Sequence, residues 1–146
     1  LLASNNDIKR FSITGERRDL NREKFELEKL LIDLNDINSN ANKNLNFLRN
    51  AMKIRSKLDS FHPISEMVCL TKDRPDVVAV RRGIGGNSIY AIHNITDNKL
   101  DYSIKNDKVI SLLSKRKTFK DYLSEREYSN LNFVLEPFEV LWIGIN

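Results

Sequence analysis

The sequence has one cysteine, two histidines and no long apolar run, and each shortage excludes a class of protein. A single cysteine, Cys69, rules out an internal disulfide framework and a cysteine-based zinc site. That usage fits a reducing compartment, and a cytoplasmic location is expected. Cys69 lies in "SEMVCL" and reads as a buried strand residue. His62 and His93 are far apart and neither has a second ligand at metal spacing, so no metal site is expected. His62 stands before a proline and reads as a turn residue; His93 reads as a strand residue. No cofactor motif appears either. "GIGGN", Gly83 to Asn87, joins two strand-like runs rather than opening a helix, so it is not a phosphate loop. No stretch approaches the roughly 18 apolar residues that span a bilayer, and no membrane partner is expected. "LLASNNDIKR" has neither the basic region nor the apolar core of a signal peptide. It also lacks an initiator Met, and a chain that starts on two leucines reads as a piece of something longer.

What is present is the composition of a folded domain: 40% hydrophobic and 30% charged residues, neither disordered nor membranous. The 146 residues suffice for one ordinary core. The net charge of +4 is mild, and acids are mixed in throughout. A nucleic-acid binder concentrates its charge on one face among aromatics. The one basic cluster here, "SKRKTFK" from Ser114 to Lys120, reads as a solvated loop, and no nucleic acid is expected as a partner.

The pattern changes near "FHP", Phe61 to Pro63. Before it the signals are helical. Leu1 to Leu20 reads as a long loop with a helical turn near Asp7 to Phe11. Asp19 or Asn21 is a candidate cap for a first helix, in which Phe25, Leu27, Leu30, Leu31 and Leu34 recur at helical spacing. "NDINSN" interrupts, and Ser39 or Asn40 can cap a second helix. Leu45, Leu48, Ala51, Met52 and Arg55 lie near one line of it, widened by Phe47, Ile54 and Leu58. That stripe is wider than a solvent-facing helix needs and requires a large packing partner. Pro63 ends any continuation.

After Pro63 the runs are strand-like: "ISEMVCL", "DVVAVRR", "SIYAIHNI", "LDYSIK" and "NFVLEPFEVLWIGI", the last broken by Glu136-Pro137. "KVISLL" fits either state, and "FKDYLSE" is a short extended or helical piece. Short strands joined by tight turns predict a small antiparallel sandwich. Alternation in these runs predicts a core of Val78, Val80, Ile89, Ala91, Val134, Val140 and Trp142. Trp142 can stack on a sugar, but in an apolar terminal strand a core role is the simpler reading.

One segment exceeds what folding needs. "TGERRDLNREKF", Thr14 to Phe25, packs three arginines, a lysine and a glycine around a helix start. The longer stretch "SNNDIKRFSITGERRDLNREKF", Ser4 to Phe25, resembles the segment after the eighth barrel strand in the sucrose phosphorylase-like branch of the α-amylase-type glycoside hydrolases (family 13), relatives of sucrose and glucosylglycerate phosphorylases. "LRNAMKIRSKLDSFHP", Leu48 to Pro63, is similar to that family's last barrel helix. "VLEPFEVLWI", Val134 to Ile143, and "IYAIHNITDN", Ile89 to Asn98, resemble strands of its C-terminal β-domain.

The resemblance implies an α+β fragment. Residues 1–62 would be the end of a (β/α)8 barrel, its eighth βα-loop and last helices, and residues 63–146 a small antiparallel C-terminal sandwich. The packing partner of the wide helical stripe would be the barrel sheet, in an N-terminal part of the same enzyme. Active sites of such barrels lie at the C-terminal ends of the strands. The resemblance therefore puts Arg18 near the acceptor subsite, with Arg17 and Arg22 beside it, facing phosphate or a sugar phosphate. It implies a retaining α-glucosyl phosphorylase of carbohydrate metabolism, acting on sucrose or a related α-glucoside. Glu16 stands where relatives often carry a basic residue. The two carboxyl groups of retaining transfer, about 5–5.5 Å apart, would lie upstream of Leu1, so no residue of this chain is assigned to catalysis; Asp7 reads as a cap. Three alternatives stay open. The arginines pair only with Glu16, Asp19 and Glu23 as surface ion pairs worth about 0–1 kcal/mol each. The enzyme is a hydrolase or transglucosidase of the same fold. Or the chain is a non-catalytic, carbohydrate-binding β-sandwich module.

Overall fold

A computed structural model describes residues 6–20, 26–71, 73–104 and 118–145. The chain divides into two units, Leu1–Met52 and Lys53–Asn146. Among the described residues, four helices precede eight strands: α1 Ile8–Thr14, α2 Arg17–Leu20, α3 Leu27–Asn35 and α4 Asn40–Arg55, then β1 Met67–Cys69, β2 Val77–Arg82, β3 Ile89–Asn94, β4 Leu100–Ser103, β5 Phe119–Asp121, β6 Glu127–Tyr128, β7 Asn132–Leu135 and β8 Val140–Ile145.

The first unit is helical. Asp7 caps α1, its carboxylate accepting from the Arg10 N–H at 2.9 Å. Asp19 lies inside α2 and turns back on α1; residues 21–25, where a helix capped by it would begin, lie outside the described residues. Asn21 and Phe25 lie outside the described residues. Ser39 caps α4 by accepting from the Asn42 N–H at 3.0 Å, and the Asn42 amide in turn donates to Leu34 O at 2.6 Å, closing the α3–α4 corner. No residue of α1, α2 or α3 is buried, and in α4 only Ala51 is. Leu27, Leu31, Ile32, Phe47, Leu48 and Met52 are all exposed, Met52 at 70%. Covering such a side chain is worth about 1.5–3 kcal/mol, so these helices gain little of the apolar burial that normally stabilises short helices.

The second unit is a small antiparallel sandwich. A six-stranded sheet has the order β1-β2-β3-β8-β5-β6, and β4 and β7 form a separate two-stranded sheet. Every pairing among the described residues is antiparallel. Val77 and Ala79 of β2, Tyr90 and Ile92 of β3, and Leu141 and Ile143 of β8 share one face and meet Tyr102, Phe133 and Leu135 of the second sheet in a single buried cluster.

This is the opposite face from most of the alternation-based core. Val78 and Val134 are exposed, and Val80, Val140 and Trp142 are only half-buried; Ile89 and Ala91 are buried. The reason is that "VVAV" and "IYAI" are apolar on both faces, so period 2 cannot choose between them. The choice is made by the β4–β7 sheet, which covers the Val77 face. The other face has a smaller cover: Phe61, in a 3-10 turn at Asp59–Phe61, rests on Trp142 with ring centroids 4.7 Å apart. Trp142 is thus in an aromatic contact on the lesser-covered face.

Cys69 is exposed rather than buried. It lies on the edge strand β1 opposite Val80, on that same face. Of the basic cluster, Ser114 to Lys117 lie outside the described residues, and Phe119 and Lys120 are part of β5 rather than a loop. "KVISLL", Lys108 to Leu113, also lies outside the described residues. "GIGGN" does join two strands, as a 3-10 turn at Gly85–Asn87 between β2 and β3.

Asn94 anchors the turns at one end of the sandwich. Its amide nitrogen donates to Asn98 O at 2.7 Å and Glu136 O at 2.9 Å, while its oxygen accepts from the Thr96 N–H at 2.9 Å. One buried side chain therefore ties the β3–β4 turn to the Glu136-Pro137 turn between β7 and β8.

His93, also on β3, pairs across the sheet with Val78 and Val140. Burial holds its imidazole below the usual histidine pKa. The unfolded chain then takes up a proton first as the pH falls. Stability from this residue is complete above the unfolded value, about 6.5, and declines as the pH drops through it until the folded imidazole also protonates. Thermal melts between pH 8 and pH 5 should show this decline, and His93→Gln should flatten it. An unchanged slope in the variant would assign the decline to other groups.

Candidate functional site

The arginine-bearing segment is built on α1 and α2. Gly15 ends α1 in the left-handed conformation, φ 69°, with its N–H on Phe11 O at 2.8 Å. The chain then turns directly into α2. The Thr14 hydroxyl donates to Asp19 Oδ2 at 2.7 Å, and Arg10 Nε lies 2.9 Å from Asp19 Oδ1. The Asp7 N–H donates to Leu20 O at 3.2 Å, bringing the start of α1 to the end of α2. Thr14 and Gly15 thus make the corner, and Asp19 bonds across it.

Arg17 and Arg18 project from this corner and are exposed. Among the described residues neither takes part in an ion pair; the acid beside them, Asp19, pairs with Arg10 instead. Glu16 is exposed, and its N–H faces Thr14 Oγ1 at 3.3 Å. Arg22 and Glu23 lie outside the described residues. The corner therefore presents two guanidinium forks on a short, internally tied scaffold. Such forks suit a phosphate or carboxylate, which they engage by paired N–H donors.

A second concave feature lies within the β unit, and sequence reasoning missed it. Lys57, Asp59 and Ser60 form one wall of a cleft of about 260 Å3, Asn87 and Ser88 another, and Tyr122 closes it with Ile89 and Ile145. The Ser60 hydroxyl donates to Asn87 O and joins the two walls. Gly83 makes that approach possible: at φ 83° it holds a conformation side chains disfavour, and a Cβ there would lie 2.9 Å from Ser60 Oγ and 3.2 Å from Asn87 O. The loop leading into the sheet is held by Arg82, whose guanidinium donates to His62 O at 2.7 Å. Beside it Arg81, buried, donates to Glu66 and to Gly83 O. The only sequence signal for this cleft was the glycine-rich "GIGGN", which gave the turn but not what packs against it.

His62 ends the 3-10 turn, and Ile64 N–H faces its Nδ1 at 3.4 Å. Among the described residues no three His, Cys, Asp or Glu side chains gather as a metal site would require. Among the same residues no helix is long and apolar enough to cross a membrane. No protein-family model and no curated protein sequence matches the chain.

Proposed function

We propose that this chain is the C-terminal part of a retaining α-glucosyl phosphorylase, an α-amylase-type glycoside hydrolase of the sucrose phosphorylase-like branch. On this reading residues 1–62 close a (β/α)8 barrel and residues 63–146 are its C-terminal β-sandwich. The substrates are sucrose or a related α-glucoside and inorganic phosphate or a sugar phosphate, and the enzyme works in the cytoplasm.

The observation that carries the reading is the state of Arg17 and Arg18. They are exposed on a tied corner, and Asp19 is engaged by Thr14 and Arg10 rather than by them. The surface ion-pair alternative names Glu16, Asp19 and Glu23 as partners; Glu16 and Asp19 form no ion pair with Arg17 or Arg18, and Glu23 lies outside the described residues. The exposed apolar faces of α3 and α4 give further support, since a barrel sheet is the kind of layer that would cover them.

In the proposed reaction a glucosyl group passes from the donor to an enzyme carboxylate and then to phosphate. Arg18, with Arg17 and Arg22, holds the phosphate dianion for the second step. Paired guanidinium donors offset its charge and orient an oxygen toward the sugar. The carboxyl pair belongs to the barrel upstream of this chain. The purified 146-residue chain should therefore release no glucose 1-phosphate from sucrose and phosphate, and measurable release would overturn the reading. The full-length protein carrying this segment should release it in proportion to phosphate. Sucrose turnover that is independent of phosphate would instead make the enzyme a hydrolase or transglucosidase of the same fold.

A further inference from the structure

The cleft of the β unit is lined by charged groups that the fold leaves uncommitted. Lys57 and Asp59 line it from one side and Asn87 from the other, with Tyr122 beside them. Other charges of this unit find partners: Arg74 pairs with Asp76, Arg81 with Glu66, Lys99 with Glu136, Lys120 with Glu125 and Arg126 with Glu139. Lys57 and Asp59, opposite in sign and two residues apart, form no ion pair among the described residues, with each other or with any other group. Both are exposed, so a solute can reach them.

The frame that carries these groups is fixed before anything binds. The Ser60 hydroxyl donates to Asn87 O and joins the two walls. Arg82 holds the chain just after Asp59, with Nε 3.3 Å from Ser60 O and a terminal nitrogen 2.7 Å from His62 O. The Tyr122 ring lies directly on Gly144, where a Cβ would stand 2.3 Å from Cε2. A solute entering this cleft therefore has little backbone to order, which removes one of the main costs of binding.

The pair of charges decides what chemistry fits. A lone anion is attracted by Lys57 and repelled by Asp59, and a lone cation meets the reverse. A neutral solute gains nothing from either. Only a molecule that carries both charges meets an opposite charge at each, so the cleft selects by repulsion as well as by attraction. The Asn87 amide and the Tyr122 hydroxyl can each both donate and accept, which suits a carboxylate or a short polar side chain.

We infer that this cleft binds a small zwitterion, a free α-amino acid with a short side chain, its carboxylate toward Lys57 and its ammonium toward Asp59. The volume of about 260 Å3 lies just below the ordinary range of small-molecule sites, about 300–1,000 Å3. The site uses none of Arg17, Arg18 or Arg22 and does not depend on the phosphorylase reading.

The test is a titration of the isotope-labelled 146-residue chain with L-serine, followed by amide chemical shifts, with acetate and methylammonium in parallel arms. The expected result is a saturable shift at Asp59, Ser60 and Asn87 with L-serine, of millimolar affinity because the charges are solvated. Each single-charge solute should bind at least about 3-fold more weakly, lacking one attraction and meeting one repulsion. Lys57→Glu and Asp59→Lys should each weaken L-serine by about 5- to 10-fold, as an attraction becomes a repulsion. The double variant should recover part of the loss, because the ligand can then bind reversed. Both side chains are exposed, so the melting temperatures should stay unchanged, which separates lost binding from lost folding. Three results would overturn the inference: no saturable shift up to about 50 mM L-serine, well past millimolar affinity; acetate or methylammonium alone binding as well as L-serine; or an affinity that neither charge reversal alters.

Discussion

Asp121→Ala is expected to cost the β unit at least about 3 kcal/mol, enough to leave it largely unfolded if its stability lies near the low end for a small domain. The carboxylate is fully buried at the end of β5. One oxygen accepts from the Trp142 N–H at 2.8 Å and the Leu123 N–H at 3.2 Å; the other accepts from the Ser124 N–H at 3.1 Å and from the Ser124 hydroxyl. The side chain thus satisfies backbone donors of the tight β5–β6 turn and of the central strand β8. Hydrogen bonds to an ionised group are worth about 1.5–3 kcal/mol each, and alanine would leave several donors without an acceptor. Asp121→Asn should recover part of the loss. Its carbonyl can still serve Trp142 and Leu123, but its NH2 would face the Ser124 N–H. Denaturant titration of the three proteins gives the order directly. A loss below about 1 kcal/mol in the alanine variant would mean that water replaces the carboxylate without penalty.

On the proposed phosphorylase reading, Arg18→Ala in the full-length protein is expected to lower kcat/KM for phosphate by about 10- to 100-fold. Glucosyl transfer onto the enzyme should change far less. The first half-reaction involves a neutral sugar, whereas the second brings in a dianion that the guanidinium fork is suited to hold. One charge-assisted contact is worth about 1.5–3 kcal/mol, and each 1.4 kcal/mol is about tenfold. Water then competes better for the intermediate, so hydrolysis relative to phosphorolysis should rise. Arg18→Lys should restore only part of the loss, because an ammonium cannot reproduce two parallel N–H donors. Steady-state assays that vary phosphate at saturating donor measure this. An unchanged phosphate dependence would leave Arg17 and Arg18 as solvated charges.

The elements that depend on near neighbours in sequence were legible. The Asp7 cap, the Ser39 cap, the interruption at 36–39, the glycine-rich β2–β3 turn and the break at Glu136-Pro137 all arise from residues a few positions apart. So did the antiparallel sandwich, because alternating runs separated by tight turns have few other ways to bury their apolar sides. The arginine cluster was visible as a composition. That Asp19 bonds to Thr14 and Arg10 across the α1–α2 corner was not.

Tertiary structure decided what the local pattern left degenerate. Strands β2 and β3 are apolar on both faces, and the β4–β7 sheet made Val77 rather than Val78 a core residue. Cys69 is exposed because β1 takes the edge, a position that a three-residue strand does not encode. Nothing in the sequence beside Asp121 or Ser88 marks either as buried: their neighbours are Lys120 and Tyr122, and Asn87 and Ile89. Their burial, and the cleft to which Ser88 belongs, come from residues far apart in the chain: Ser60 meets Asn87, and Tyr122 meets Gly144. The chain's own periodicity fixes which residues are neighbours along an element, since that is set by backbone geometry. Which face is covered, and which polar group finds a partner, depends on surfaces brought together only when the elements pack.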